Sequence, residues 1–395
     1  MNNATNNATN NATSTTNNTT TGDTNNSTNN TTTTGDTNNS TNNTTPVGAP
    51  LSLTILHIND HHSHLEQDDF DYDVTNLTLS ATGGFDDRAI EEVVVPYGGF
   101  PVLKAAFDQL EAESTNVLKL HAGDAITGTL FYTLFEGEAD AAMMNEICFD
   151  AFALGNHEFD DGDAGLKNFL DFLAEGDCDT PVLAANVTPG ESSPLNVDGL
   201  IEPYVIKEID GQRVGIIGID IAQKTKNSSS PDEGTEFADE TTTSQMVIDE
   251  LEGMGVDKII LLTHQGYDND VTMAANLDGV DVIVGGDSHT LLGGANVTGA
   301  GFNVGGDYPT VVTDSQGKTV CVVQAWEYAH IVGKLEVEFD ANGDVTSCAG
   351  MPKFPIVEGG VLEYEYILDA DGADEDRTLE GADATAATDA ITALD

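Results

Sequence analysis

Five short apolar runs, each followed at once by acidic, amide or imidazole side chains, constrain the fold of this chain more than any other feature. The runs cover residues 51–59, 117–120, 151–154, 258–262 and 280–284. Their length and apolar content predict buried strands, and the carboxyl ends of such strands are where α/β proteins bind ligands and place catalytic groups. The chain is therefore predicted to be an α/β protein with a site at its strand ends.

The side chains at these five ends are of the types that bind divalent metal ions. Asp60 and His62 lie two positions apart, so an extended backbone directs both to one side and His61 to the other. The full set is Asp60, His62, Asp124, Asn156, His157, His264, Asp287 and His289. Each residue alone is more often a turn residue, a helix cap or a satisfied polar group. Their recurrence favours a metal site, and imidazoles among hard oxygen donors suit zinc, manganese, iron or magnesium.

Residues 155–160 read Gly-Asn-His-Glu-Phe-Asp and combine an amide oxygen, an imidazole and a carboxylate at one strand end. This combination suits a metal ligand beside a histidine that an acid holds in place. Alone, the hexapeptide is equally compatible with a capped loop and a surface histidine. The other four strand ends favour the first interpretation, with Asn156 as ligand, His157 as catalytic acid and Asp160 as its orienter. Glu158 and Phe159 receive no chemical role.

The charge of the chain restricts its partners. It has 13 Lys and Arg against 68 Asp and Glu, which gives a formal net charge of -55. Such a surface repels nucleic acid and anionic membranes, and no basic cluster offsets it. No run of 18 or more apolar residues occurs in the sequence. We therefore expect neither nucleic-acid binding nor direct membrane insertion.

Composition divides the chain into three parts. Residues 1–50 are almost wholly Asn, Thr, Ser, Gly and Ala, and they are predicted to be a disordered linker or stalk because they cannot bury enough apolar surface. Their many N-x-[ST] sequons would carry glycans in an exported protein, and an unmodified polar linker is the alternative. Residues 51–350 hold the predicted site, and the acidic residues 351–395 are expected to start a further domain or to form a disordered tail. We expect an extracytoplasmic, secreted or cell-surface location, with no signal peptide visible in the chain.

Four cysteines, Cys148, Cys178, Cys321 and Cys348, lack the CxxC spacing of a structural zinc site. Cys321 lies in a strand-like run at residues 319–324, and Cys348 follows another at residues 333–339. A disulfide between these two cysteines within one sheet is therefore a hypothesis.

The order of the motifs, D-x-H, GD, GNHEFD, TH and G-G-x-S-H, resembles that of the calcineurin-like metallophosphoesterases. The run LTILHINDHH at residues 53–62 narrows the resemblance to the 5′-nucleotidase and UDP-sugar hydrolase family. The similarity extends over about residues 51–339. It implies a metallophosphoesterase fold for the catalytic domain at residues 51–350, which is a four-layer α/β/β/α sandwich of two mixed sheets. It also implies two divalent metal ions at the strand ends.

The resemblance implies roles for individual residues as well. One ion would be held by Asp60, His62 and His289, the other by Asn156, His264 and Asp287, and Asp124 would bridge both. His157, paired with Asp160, would be catalytic.

The activity that the resemblance implies is metal-dependent phosphoester hydrolysis. We expect first a 5′-nucleotidase that releases phosphate from nucleoside monophosphates in nucleotide catabolism, through a hydroxide that the two ions activate. A 2′,3′-cyclic nucleotide phosphodiesterase, a 3′-nucleotidase or a UDP-sugar hydrolase on the same scaffold is the alternative. A non-catalytic cell-surface module is a second alternative, and the intact ligands argue against it.

Two features depart from the family pattern. Asp287 stands where the family usually has histidine, and its harder oxygen donor is hypothesised to move the second site's preference from zinc toward manganese, magnesium or iron. Loss of the second site is the alternative, and the other ligand residues argue against it. The family's carboxyl-terminal substrate-binding domain has no counterpart before Asp395, so we expect a single-domain variant or a truncated chain.

Overall fold

The computed structural model of this protein describes residues 48–356 and 361–392. These described residues belong to one compact unit. The predicted Asn/Thr-rich linker, with its sequons, lies outside the described residues apart from residues 48–50. The fold described below is therefore that of the remainder of the chain.

Strands and helices alternate along much of the chain. The strands are β1 (Leu51–Ile58), β2 (Asp68–Asp73), β3 (Glu92–Tyr97), β4 (Val117–His121), β5 (Ala151–Ala153), β6 (Val182–Leu183), β7 (Val187–Thr188), β8 (Tyr204–Ile209), β9 (Gln212–Asp220), β10 (Glu236–Phe237), β11 (Ile259–His264), β12 (Val282–Gly285), β13 (Thr310–Thr313), β14 (Thr319–Gln324), β15 (Val332–Phe339), β16 (Val345–Lys353), β17 (Glu363–Ile367) and β18 (Asp374–Thr378). The helices are α1 (Phe100–Glu113), α2 (Leu130–Phe135), α3 (Glu138–Ile147), α4 (Gly162–Ala174), α5 (Ala222–Ser228), α6 (Glu240–Gly253), α7 (Tyr267–Asn276), α8 (Ala295–Gly299) and α9 (Gly381–Thr392). Among the described helices, none combines the length and apolar character needed to cross a lipid bilayer.

Two mixed six-stranded sheets form the centre of the fold. The strand order is β16-β15-β1-β4-β5-β6 in the first sheet and β13-β14-β12-β11-β9-β8 in the second. In the first sheet β1, β4, β5 and β6 are parallel neighbours, and in the second β9, β11, β12 and β14 are. Parallel neighbours present their carboxyl ends at the same edge of a sheet, so the five predicted strand ends are brought to two such edges.

Apolar side chains pack the two sheets against each other and each sheet against helices. Leu53 and Leu120 of the first sheet meet Leu262 and Val323 of the second in one buried cluster. A second cluster packs α1, α3 and α4 on the first sheet, and a third packs α6 and α7 on the second. Strand β11 is buried at every position, as expected for a parallel strand that is covered on both faces. The predicted four-layer α/β/β/α sandwich of two mixed sheets is confirmed.

Two disulfides crosslink this framework. Cys321 pairs with Cys348, but the bridge joins β14 of the second sheet to β16 of the first. The hypothesis paired the correct cysteines and was wrong to place them within one sheet, because a strand-like pattern does not reveal which sheet a strand joins. Cys148 follows α3 and pairs with Cys178 after α4, a bridge that the sequence analysis did not propose.

A smaller four-stranded sheet has the order β18-β17-β3-β2 and joins two acidic segments that are far apart in the chain. Its core includes Val93, Val95, Leu362, Tyr364 and Ile391. The segment 351–395 was expected to start a further domain or to form a disordered tail. Strand β16 crosses the boundary expected at residue 350, and described residues 361–392 form two strands and a helix. Apolar residues spaced between the acids supply the buried face of β17, which pairs with β3 on one side and with β18 on the other.

Candidate metal centre and active site

Residues that follow β1, β4 and β5 of the first sheet meet residues that end β11 or follow β12 of the second. The backbone N–H of Asp287 lies 3.1 and 3.0 Å from the two carboxylate oxygens of Asp60. Gly155 permits a similar close approach, because a Cβ atom there would lie 2.3 Å from Oδ1 of Asp124. The site residues with positive φ are Asp60, His62, Asp124, Asp287 and His289. Such conformations are uncommon outside glycine and concentrate at functional sites.

Side chains from both sheets form a first candidate ligand group. Asp60, His62 and His289 offer ligand atoms within 4.8 Å of one another. Nε2 of His289 lies 3.3 Å from Oδ1 of Asp60 and 3.2 Å from Nε2 of His62. Oδ2 of Asp124 lies 3.6 Å from Nε2 of His62 and can complete the group. Donors around a tetrahedral ion with bonds of roughly 2.1 Å are about 3.4 Å apart, so these separations fit one divalent ion.

A second group shares two of these residues. Asp60 and Asp124 combine with His264, and all three side chains are buried. Nε2 of His264 lies 2.8 Å from Oδ2 of Asp124 and 3.7 Å from Oδ1 of Asp60. Within the described residues, both side-chain amide atoms of buried Asn156 have no hydrogen-bond partner, and Oδ2 of Asp124 and Nε2 of His264 have none other than each other. Because an unpaired buried amide is costly, Oδ1 of Asn156 fits a ligand, with Asp124 and His264, for a second cation.

The electrostatic field at the ligand atoms also suits cations. Burial opposes the charge of His289, but hydrogen bonds and charges from Asp60 and Glu327 raise its pKa to about 10. Burial likewise opposes ionisation of Asp124, but His264 and His62 hold the pKa of Asp124 well below its ordinary value. Both shifts reflect a strong attraction between opposite charges in a buried volume, where divalent cations are attracted for the same reason.

Asp287 lies at the edge of the second group, but its carboxylate contacts the ammonium group of a lysine. Its Oδ1 lies 3.9 Å from Nε2 of His264 and accepts a hydrogen bond from Nζ of Lys224, on α5. The close ligand groups of the described residues are Asp60, His62 and His289; His62, Asp124 and His157; and Asp60, Asp124 and His264, and Asp287 belongs to none of them. The ligand role of Asp287 therefore stays a prediction, and Lys224 is a site residue that the sequence analysis missed.

His157 and Asp160 form a hydrogen-bonded pair beside both groups. Nδ1 of His157 lies 2.6 Å from Oδ2 of Asp160. This hydrogen bond raises the pKa of His157 above its ordinary value, and partial burial opposes the shift. The backbone N–H of His157 donates to Oδ1 of Asp124 at 2.8 Å, which fixes the histidine beside the shared carboxylate. Since Asp160 engages Nδ1, Nε2 is the ring nitrogen available to a bound substrate.

Glu158, which had no assigned role, holds two loops of the site together. Its buried carboxylate accepts hydrogen bonds from the backbone N–H groups of Gly155, Asp124 and Ala125 at 2.6, 2.9 and 2.7 Å. Burial, reinforced by the charge of Asp124, raises the pKa of Glu158 to about 7. The position of Glu158 within the strand-end hexapeptide was the one signal available for this role.

Two further groups of side chains support the ligands from behind. Oε2 of Glu327 lies 2.5 Å from Nδ1 of His289, the carboxylate–histidine arrangement that orients metal-binding imidazoles. His61 points away from the ligand groups, as predicted, and its Nδ1 lies 2.8 Å from Nε2 of His121. Nε2 of His61 lies 3.2 Å from Oδ1 of Asp140, so the residue between two predicted ligands is anchored in the interior. No spacing in the sequence indicated these partners.

The first ligand group opens, through His62 and His289, into a cleft of about 650 Å³. The cleft is lined by His62, His64, Thr127, Gly128, His157, Asp160, Lys224, Asp287, Ser288, His289 and Tyr328. Imidazole, ammonium and hydroxyl donors therefore face a space large enough for a small polar ligand.

This fold and donor set define a class of protein. Residues 53–291 match the family model described as calcineurin-like phosphoesterase, and the chain belongs to that family. Calcineurin-like phosphoesterases use a dinuclear divalent metal centre, with which the two ligand groups sharing Asp124 agree.

Similar proteins bear out the narrower resemblance to 5′-nucleotidases. A probable 5′-nucleotidase of Treponema pallidum is 46% identical over 302 residues, which cover 76% of this chain and 47% of that protein. Among solved structures, the NAD nucleotidase of Haemophilus influenzae has a TM-score of 0.77 and 36% identity, covering 87% of this chain and 56% of that one. A 5′-nucleotidase precursor of Thermus thermophilus has a TM-score of 0.67 and 35% identity, covering 87% and 58%. The chain spans about half the length of the curated relatives it matches.

Proposed function

We propose that this chain provides the catalytic domain of a metal-dependent phosphoester hydrolase, first of all a 5′-nucleotidase acting on nucleoside monophosphates. The observation that carries the proposal is the pair of adjoining ligand groups, Asp60 with His62 and His289 and Asp60 with Asp124 and His264, beside a cleft that His62, His157 and His289 line. The names of similar proteins, 5′-nucleotidase and NAD nucleotidase, support nucleotides as the class of substrate.

Each group of residues has a part in this proposal. Asp60, His62 and His289 would hold one ion, Asn156 and His264 the other, and Asp124 both. When bound, two divalent ions supply Lewis acidity to a water molecule and to the phosphoryl oxygens. His157 would donate a proton or hydrogen bond from Nε2 to the leaving oxygen, while Asp160 holds Nδ1 and favours the charged imidazolium.

Other substrates on the same scaffold are outcomes that an assay separates. Cyclic 2′,3′-nucleotides, 3′-nucleotides, UDP-sugars and dinucleotides such as NAD all present a phosphoester or pyrophosphate to a dinuclear site. A non-catalytic surface module is less well supported, because such a module would not need the buried metal-ligand side chains of Asp124, Asn156 and His264.

For location we propose an extracytoplasmic site, secreted or at the cell surface. Support comes from the two disulfides, which persist in oxidising compartments and are rare in reducing ones. Glycans on the amino-terminal sequons and exclusion of nucleic acid by the acidic surface belong to the same proposal. Mass spectrometry of the protein purified from its own cells would detect both the disulfides and any glycans.

Hydrolysis of a phosphoester panel by metal-reconstituted protein tests the proposed function. The panel contains AMP, 3′-AMP, 2′,3′-cyclic AMP, UDP-glucose and NAD, each with manganese, zinc, magnesium or iron. We expect phosphate release from AMP, abolished by a chelator and restored by metal. No hydrolysis of any substrate by protein that carries two ions would contradict the proposal, and fewer than one ion per chain would favour a non-catalytic module.

A further inference from the structure

Lys224 brings a cation into a cleft where carboxylates predominate among the charged groups. It lies on α5, directly after the end of β9, and its Nζ donates to Oδ1 of Asp287. The side chain is 37% exposed, whereas Asp287 is 12% exposed. Lys224 therefore reaches the cleft while its ammonium is held by a more buried carboxylate.

The position is notable in a chain with 13 Lys and Arg against 68 Asp and Glu. Lys224 is the one Lys or Arg among the described residues that line the cleft. The carboxylates of Asp160 and Asp287 line the same cleft, and those of Asp60 and Asp124 lie buried next to its lining residue His62. An anionic substrate approaching them is repelled unless cations intervene, so the location of this ammonium bears directly on anion binding.

The charges of Asp287 and Lys224 compensate each other. A neutral histidine at position 287 would add no charge, whereas a carboxylate adds one negative charge to the site. The ammonium of Lys224 cancels that charge and places a hydrogen-bond donor at the cleft.

We propose that Lys224, anchored by Asp287, binds the phosphoryl group of the substrate in this cleft. The inference rests on the proposed function, because it concerns the substrate of that same site. An ammonium offers three donors and a compact charge, which suit phosphate oxygens. Asp287 then acts chiefly as the anchor of Lys224, which explains why its Oδ1 is engaged by Nζ and lies 3.9 Å from Nε2 of His264.

The competing explanation is that Lys224 only neutralises Asp287 and stabilises the loop after β12 that carries Asp287. In that case its removal would alter stability or metal content and leave the affinity for phosphate unchanged. Lys226 provides the matched control, because it lies on the same helix but donates to the carbonyl oxygen of Phe237 and packs over that ring. Lys226→Met removes the same charge from α5 without removing a donor from the cleft.

The test measures binding of inorganic phosphate by calorimetry to the metal-loaded full chain, together with kcat and KM for a nucleoside monophosphate. Lys224→Met is expected to weaken phosphate binding about tenfold to a hundredfold and to raise KM, with metal content unchanged. Lys224→Arg should recover part of the affinity, and Lys226→Met should match the wild type within about twofold. Asp287→Asn should weaken phosphate binding as Lys224→Met does and keep both ions.

The outcomes separate this inference from the proposed function. Active wild-type protein whose Lys224→Met variant binds phosphate with unchanged affinity would overturn the inference and leave the hydrolase intact. Wild-type protein that hydrolyses no phosphoester, yet loses phosphate affinity in Lys224→Met alone, would overturn the proposed function and support the anion-binding role. An ion lost from Asp287→Asn without a change in Lys224→Met would show that Asp287 is a ligand and not an anchor.

Discussion

The two candidate ligand groups share Asp124 but differ in how completely the protein has built them. In the first group, Asp60, His62 and His289 stand close together, and Glu327 supports His289 from behind. In the second, Asn156 presents an unpaired amide and His264 lies beside Asp124, but Asp287 is engaged by Lys224. The difference teaches that the first group has all its predicted ligands together, whereas one predicted ligand of the second group is held in an ion pair.

The largest effect is expected from Asp124→Asn, because this residue reaches both groups. Bound metal should fall from two ions to fewer than one per chain, and turnover should fall by more than the roughly 100-fold typical of outer partners of a metal ligand. Metal analysis and phosphate release measure the two effects. Asp171→Asn, an exposed side chain on α4, is the control. If Asp124→Asn retained both ions, Asp124 would not be a ligand that the two groups share.

Next in size is His157→Gln, which removes the proposed proton donor without touching the predicted ligands. Turnover should fall roughly 10²–10⁴-fold, the usual contribution of a general acid, while both ions stay bound. Steady-state kinetics and metal analysis on the same samples check this. Unchanged phosphatase activity would remove His157 from the mechanism.

Glu327→Gln should act on the first group alone. Loss of the carboxylate behind His289 is expected to weaken the binding of one of the two ions by about 10–100-fold and to leave the binding of the other unchanged. Stepwise metal titration resolves the two sites, and Glu336→Gln, at an exposed position of β15, controls for the lost charge. Equal weakening of both ions would show that the two groups are not separable.

The pH profile should sharpen the role of Asp160. Its hydrogen bond raises the pKa of His157, so the imidazolium persists to a higher pH than an ordinary histidine would allow. Activity that needs the imidazolium is present below this raised pKa and is lost as pH rises through it. Asp160→Asn should therefore move the basic limb of the kcat profile to lower pH, and a basic limb at the same pH in both proteins would contradict the pairing.

The smallest effect concerns metal preference at the second group. If Asp287 were a ligand, as the sequence predicted, Asp287→His would replace a hard carboxylate with an imidazole and raise the ratio of zinc-supported to manganese-supported activity relative to the wild type. If Asp287 is the anchor of Lys224, this ratio should stay the same. Reconstitution with each metal in turn measures the ratio. A clear zinc preference in the wild-type protein would contradict the hypothesis that Asp287 favours manganese, magnesium or iron.

The sequence was most informative where a residue's role depends on its neighbours in the chain. Asp60, Asp124 and His264 were found because each lies at or just beyond an apolar run, and parallel pairing brings such ends together. The pairing of His157 with Asp160 could also be predicted, because only three positions in the chain separate the two residues.

Partners from distant segments could not be predicted. Glu327 lies 38 positions from His289, and Lys224 lies 63 positions from Asp287, so no local spacing marks either contact. The disulfide between the two sheets was predicted to lie within one sheet, because the apolar pattern of a strand does not show which sheet the strand joins. Tyr364 and Leu362 were overlooked because the acids around them resemble a solvated tail, although their burial helps to build the small sheet.

Metal titration of the metal-free protein, with bound ions and phosphate release from AMP followed together, tests the central claim most directly. The two ligand groups predict that two manganese ions bind per chain and that phosphate release appears as the second ion binds. In Asp124→Asn both signals should be lost together. Full turnover with one ion or none, or two bound ions without hydrolysis of any phosphoester, would contradict the account.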